Sequence, residues 1–176
     1  METLYELHHH PHLHLRIQDE NDTAALFALV QQEKPRLRRT LPWPDSVKHP
    51  DDTLGTIKTN REAFAAGTAA VYIIRWQGVI AGVVSFNSIR DKVGEIGYWI
   101  AERFEGKGIV SQSVNTLIQG YMRAGIVNRF VIKASVENAR SNALAQRLGF
   151  RFYQQAKGGE KLGDRRIDQN IYHYQL

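Results

Sequence analysis

The chain has 176 residues, 43% of them hydrophobic, which is enough to bury the core of one domain spanning 1–176. It contains no cysteine, which excludes a disulfide framework, a cysteine nucleophile and a thiolate metal site. A net charge of +5 and a pI near 9.6 favour an anionic partner: a phosphate-bearing small molecule, an acidic protein or RNA.

No apolar run reaches the roughly 18–20 residues needed to span a bilayer. The N-terminus also lacks the basic-then-apolar order of a secretory signal. A cytoplasmic protein with no membrane partner is expected. No block of consecutive Lys or Arg marks a nucleic-acid tail.

Residues 1–11 read as an N-terminal extension containing His8, His9, His10 and Pro11. His12 and His14 then alternate with Leu13, Leu15 and Ile17, the pattern of the wet face of a strand. Imidazoles can ligate metals, but no carboxylate stands at ligand spacing, and no metal is expected. Asp22 or Thr23 caps a helix with Ala25, Leu26, Leu29 and Val30, which should end before Pro35. Leu41-Pro42-Trp43-Pro44 is a loop, since two prolines forbid regular helix. Trp43 either lines a substrate trough or pins the loop to the core. A helix from Asp51 to Ala66 stops at Gly67.

The period then changes from helical to alternating. Ala69 to Trp76 and Val79 to Asn87 flank a Gln77-Gly78 hairpin turn, and Gly94 to Ala101 makes a further strand. A helix from Gly108 to Ala124, a strand from Phe130 to Ser135 and a helix from Ala139 to Leu148 follow. Phe150 to Gln155 and Asp168 to Tyr174 form a closing hairpin around a glycine-rich loop. The order is mixed α/β, of the α+β kind, with a meander feeding one strand–helix–strand–helix passage.

Two stretches carry chemistry. Arg103-Phe104-Glu105-Gly106-Lys107-Gly108 lies between a strand and a helix. Glycines there remove the Cβ atoms that keep amides away from a phosphate, and the helix start points positive charge outward. The turn lacks the Lys-Ser/Thr ending of a P-loop and the spacing of a dinucleotide fingerprint. Taken alone it is equally readable as a structural turn. After the next strand, Asn138 can cap a helix and present an amide to a ligand, and Ser141 sits one turn in. Two helix starts can thus face one slender anion.

The segments R-F-E-G-K-G, V-E-N-A-R-S-N and R-L-G-F together resemble the GNAT superfamily of N-acetyltransferases, whose motif reads Q/R-x-x-G-x-G/A. Leu41 to Val47, Val83 to Asn87, Glu95 to Ser113 and Arg129 to Asn142 are similar to the bacterial ribosomal-protein-serine acetyltransferase branch. The resemblance implies a splayed, mostly antiparallel sheet flanked by helices, with acetyl-CoA as cosubstrate between two central strands. It places backbone amides of Gly106, Lys107, Gly108, Ile109 and Val110 on the pyrophosphate, with Arg103 heading the motif. Tyr98 and Ile100 would offer main-chain groups to pantetheine, which Asn138 would also contact.

Many superfamily members carry a Tyr five residues before the Phe of L-G-F, where it protonates the leaving thiolate; this chain has Ala145. Ser141 is the candidate donor instead, with a helix-start hydroxyl as its plain alternative. Glu160, in Gly158-Gly159-Glu160, is the candidate base, against the reading of a solvated loop carboxylate. His173 and Tyr174 are weaker candidates. The implied reaction is direct attack of a free amine, on the branch reading the N-terminal amine of an acidic ribosomal protein, by an enzyme that forms a homodimer. Two rivals stand: a polyamine or aminoglycoside acetyltransferase, and an acyl-CoA or RNA-binding module.

Overall fold

The computed structural model describes residues 4–175, save the side chain of His9. Its elements are β1 (Glu6–His10), β2 (Leu13–Ile17), α1 (Thr23–Leu37), α2 (Pro50–Ala66), β3 (Ala70–Trp76), β4 (Val79–Arg90) and β5 (Val93–Ile100). They continue with α3 (Ile109–Arg123), β6 (Arg129–Ser135), α4 (Ala139–Arg147), β7 (Arg151–Leu162) and β8 (Arg165–Gln175). The eight strands form one sheet in the order β1-β2-β3-β4-β5-β6-β8-β7, antiparallel at every junction except β5–β6. This is the splayed α+β architecture expected from the sequence. No helix among the described residues is long and apolar enough to cross a membrane.

Both faces of the sheet are covered, which explains why the central strands are continuously apolar. On β3, Tyr72, Ile73 and Ile74 are all fully buried. Alternation sends Tyr72 and Ile74 to the core under α3, and Ile73 to a second core with Leu26 and Val30 of α1 and Ile57 of α2. Gly82 on β4 permits the tightest approach, since a Cβ there would lie 2.2 Å from the Trp99 carbonyl oxygen.

The feature that matters for function is where the sheet opens. β5 pairs with β6 only over Val93–Ile96, ending at Ile96↔Ile132. Beyond that point β5 stays on β4 as far as Gly82↔Ile100, while β6 follows β8 as far as Ser135↔Gln169. The divergence starts beside a bulge in β4 between Phe86 and Ser88. There the Asn87 amide nitrogen occupies the space over Gly97, 2.6 Å from where a Cβ would be. A bulge bends its strand and raises the local twist, turning β5 away from β6.

Three expectations need correction. The first helix does not stop before Pro35 but runs to Leu37, because tertiary anchors outweigh the lost amide. Leu37 is buried, and Arg36 donates to the Ile100 carbonyl at 2.5 Å. Second, part of the expected N-terminal extension is strand β1, although residues 1–3 lie outside the described residues. Third, the glycine-rich loop is strand: β7 and β8 run to a turn at Gly163. Between Ala156↔Gln169 and Glu160↔Ile167 the register shifts, so that Lys157, Gly158 and Gly159 face Asp168 alone. Asp168 Oδ1 fastens this bulge by accepting from the Gly158 N–H at 2.8 Å.

Candidate active site

The gap between β5 and β6 opens into a cleft of about 1260 Å³. Hydrogen bonding alternates along an antiparallel pair. Since the Ala101 N–H bonds the Ala81 carbonyl on β4 at 2.7 Å, the main-chain groups of Tyr98 and Ile100 face the open side. The Ile100 carbonyl is taken by Arg36, which leaves its N–H free to serve a ligand.

At one end of the cleft lies the turn into α3. Phe104, 8% exposed, anchors it in the core, and Gly106 and Gly108 both adopt left-handed backbone, φ +75° and +74°. That conformation strains residues with a Cβ and explains both glycines. Among the described residues no side chain caps α3, so its first amides are uncommitted. Gly106, Gly108, Ile109 and Val110 line the cleft. The side chains of Arg103 and Lys107 do not; both lie over the Phe104 ring, at 4.6 and 5.9 Å from its centroid.

Beneath the turn lies a charge network that sequence reasoning did not find. Glu33 on α1 accepts from the Glu102 N–H at 2.7 Å and from Arg36 at 2.7 Å. Arg36 also reaches Glu105 at 3.3 Å, and Arg140 from α4 pairs with the same carboxylate. Glu105 would repel an anion, but two guanidinium groups answer its charge. The partners lie up to 69 residues apart, so no local pattern announces them.

At the second helix start, Asn138 Oδ1 accepts from the Ser141 N–H at 3.1 Å, the expected cap. Asn142 fixes the helix to the sheet: it donates to the Ser135 and Asn138 carbonyls and accepts from Asn170 and from the Tyr172 hydroxyl. Ala145 is fully buried against the core. The Ser141 hydroxyl lies 2.5 Å from the Tyr98 hydroxyl. Burial raises the Tyr98 pKa, while the bond to Ser141 and the charge of Arg147 oppose the shift in part. The phenol therefore stays protonated at neutral pH. The sequence points to Tyr98 for its backbone alone; the signal for its side chain is its strand face, shared with Ile96 and Ile100.

Glu160 lines the cleft from β7, held on a strand rather than in a loose loop. Burial raises its pKa, opposed in part by the Gln169 side chain. His173 and Tyr174 are not among the cleft-lining residues: His173 stacks on Tyr153 at 4.1 Å, and Tyr174 packs on Phe150 at 5.5 Å. Trp43 and Trp99 share a wall of the cleft, ring centroids 6.0 Å apart. Trp43 thus meets both sequence readings, since it also packs against the core of Val30 and Ile57.

Residues 12–151 match the family described as the acetyltransferase (GNAT) domain. The ribosomal-protein-serine acetyltransferase of Escherichia coli is 38% identical over 162 residues, covering 91% of this chain and 90% of that protein. The structure of RimL, a ribosomal alpha-N-protein acetyltransferase in complex with coenzyme A, superposes with a TM-score of 0.95 at 38% identity, covering 97% of this chain and 98% of its own. The microcin self-immunity acetyltransferase MccE, in complex with acetyl-CoA and AMP, gives a TM-score of 0.92 at 35% identity, covering 95% of this chain and 94% of its own.

Proposed function

The chain belongs to the GNAT acetyltransferase family and is an acetyl-CoA-dependent N-acetyltransferase, and from that premise we propose that its acceptor is the N-terminal amine of an acidic ribosomal protein in the cytoplasm. The observation that carries this reading is one continuous cleft. It joins the glycine turn and the open edge of β5 to Glu160 and the Trp43–Trp99 wall.

On the cosubstrate side, the amides of Gly106, Lys107, Gly108, Ile109 and Val110 hold the pyrophosphate at the α3 start. Tyr98 holds the pantetheine arm through its main-chain groups, as Asn138 does from the start of α4, while Ile100, its carbonyl taken by Arg36, offers its N–H alone. The free Ile100 N–H polarises the thioester carbonyl where negative charge develops. Glu160 takes the proton of the attacking amine, directly or through water. An α-amine has a pKa near about 8, so a carboxylate with a raised pKa is a sufficient base. Ser141 passes a proton to the departing thiolate, and Tyr98, 2.5 Å away, replenishes it, taking its own proton back from solvent once coenzyme A leaves the cleft. No covalent enzyme intermediate is needed.

Charge supports an acidic acceptor. Lys157, Lys161 and Arg166 are exposed on the β7–β8 hairpin that carries Glu160, and none has a carboxylate partner among the described residues. The homodimer fits the β7 edge, where Phe152 and Tyr153 are 59% and 60% exposed. The Trp43–Trp99 pair favours a second acceptor class, an amine bearing a flat ring that stacks on indole; the related MccE was solved in complex with acetyl-CoA and AMP.

The test is CoA release with a Ser-initiated acidic peptide, its N-blocked form, polyamines and aminoglycosides. Transfer to the free peptide alone is expected. Robust transfer only to the small amines would overturn the acceptor assignment.

A further inference from the structure

The β1–β2 hairpin, at the edge of the sheet, carries donors that acetyl transfer does not use. Register sets His8 opposite His14 and Glu6 opposite Arg16. Strand alternation therefore puts Glu6, His8 and His14 on one face, while Leu7 and Leu15 turn to the core. The rings of His8 and His14 are 4.6 Å apart, and their Nε2 atoms lie 3.6 and 3.8 Å from Glu6 Oε2. A donor atom from each of the three fits within 4.8 Å of the others. Two ligands on a tetrahedral ion with bonds of about 2.1 Å stand roughly 3.4 Å apart. Combined side-chain shifts of a few tenths of an ångström to roughly 1.4 Å close that difference.

Burial, His8 and, more weakly, the positive charge of Arg75 across β2–β3 lower the His14 pKa, so that imidazole is held in the neutral form a metal needs. Arg16 and Arg75 lie on the neighbouring positions, but each guanidinium is held 2.9 Å from the buried carboxylate of Asp22. Glu6 is thus left to the imidazoles. The remaining described imidazoles of the hairpin are otherwise engaged. His10 accepts the His12 N–H at 3.1 Å through Nδ1, and both rings pack on Trp76 at 5.3 and 5.7 Å.

The geometry points to a metal site: Glu6, His8 and His14 bind one divalent ion of the zinc, cobalt or nickel class, with water completing its shell. The sequence reading finds no carboxylate at ligand spacing and expects no metal; the proposed site rests instead on the strand pairing of β1 with β2. Glu6 stands two residues before His8 on β1, and strand register brings His14 across to both. The ion clips β1 to β2, and so also fastens β1 against α3, where Leu7 packs over Gly120. Its effect is on stability, since the hairpin lies outside the cleft.

The experiment is calorimetric titration of the chelator-stripped full chain with zinc chloride, supported by cobalt absorption spectra and thermal melts. One saturable site and a raised Tm are expected. A His8→Asn/His14→Asn double variant should bind at least roughly tenfold more weakly, and Glu6→Gln about fivefold, because imidazole dominates affinity for these metals. A His10→Asn/His12→Asn double variant should bind as wild type does. Unchanged CoA release shows that each variant is folded. No saturable uptake, or uptake lost in the His10/His12 variant and kept in the His8/His14 variant, would overturn the site.

Discussion

Replacing Tyr98 with Phe deletes a single oxygen from the cleft and leaves the ring in place. The Ser141 hydroxyl then loses the partner it holds at 2.5 Å. If Tyr98 only positions Ser141, the loss is one hydrogen bond, about 1 kcal/mol, or roughly fivefold in rate. In a chain of 176 residues the same energy lowers Tm by about 2–4 °C. If Tyr98 supplies the proton that Ser141 hands to the thiolate, a general-acid contribution of about a hundredfold or more disappears as well. The expected result is a kcat about a hundredfold lower, with KM for acetyl-CoA within about twofold of wild type. CoA release measured with a thiol reagent gives kcat, and calorimetry with acetyl-CoA gives binding separately. Ser141→Ala should fall by a similar factor, and the double variant no further, because the two hydroxyls act in series. A loss below fivefold in Tyr98→Phe, or losses that multiply in the double variant, would refute the shared proton path.

Glu160→Gln should lower kcat/KM by about a hundredfold and abolish the acidic limb of the pH profile, which in wild type lies above the ordinary carboxylate range. Because folding raises this pKa, the folded state binds more protons between the two values and stability falls as pH rises through them. Glu160→Gln should therefore melt no lower than wild type at pH 7, as calorimetric scans would show. Gly108→Val places a β-branched residue at φ +74°, a strain of about 1–2 kcal/mol. Its acetyl-CoA affinity should fall further than its Tm implies, measured by titration. Arg36→Met leaves Glu33 and Glu105 without their shared cation and the Ile100 carbonyl without its donor. A cost of roughly 3 kcal/mol, or about 6–12 °C in Tm, is expected from thermal melts. Gly82→Ala drives a methyl group to 2.2 Å from the Trp99 carbonyl oxygen, and soluble expression should fail.

What the sequence made legible was local. Gly67 at φ 76° ends α2 as expected, Gln77 and Gly78 both take positive φ in the predicted hairpin turn, and Asn138 caps α4. The glycine turn was readable because left-handed backbone before a helix selects glycine at 106 and 108. What escaped was set by distant partners. Pro35 stays within α1 because Arg36 reaches Ile100, 64 residues away. The segment around Gly158-Gly159 reads as a loop by composition, yet pairing with β8 and the Asp168 clasp make it strand. Ser141 was identifiable as a helix-start hydroxyl, but its contact with Tyr98 spans 43 residues. Glu6 and His8 alternate along one strand, but His14 joined them only once the register of β1 on β2 was known.

The central claim is that acetyl-CoA occupies the wedge where β5 leaves β6 and meets the start of α3. Residue-resolved amide hydrogen exchange, with and without coenzyme A, tests it directly, since uncommitted N–H groups exchange fast until a ligand bonds them. Slower exchange is expected at Tyr98, Ile100, Gly108, Ile109 and Val110 when the ligand is added. Unchanged exchange at those five amides, with protection appearing elsewhere in the sheet, would contradict it.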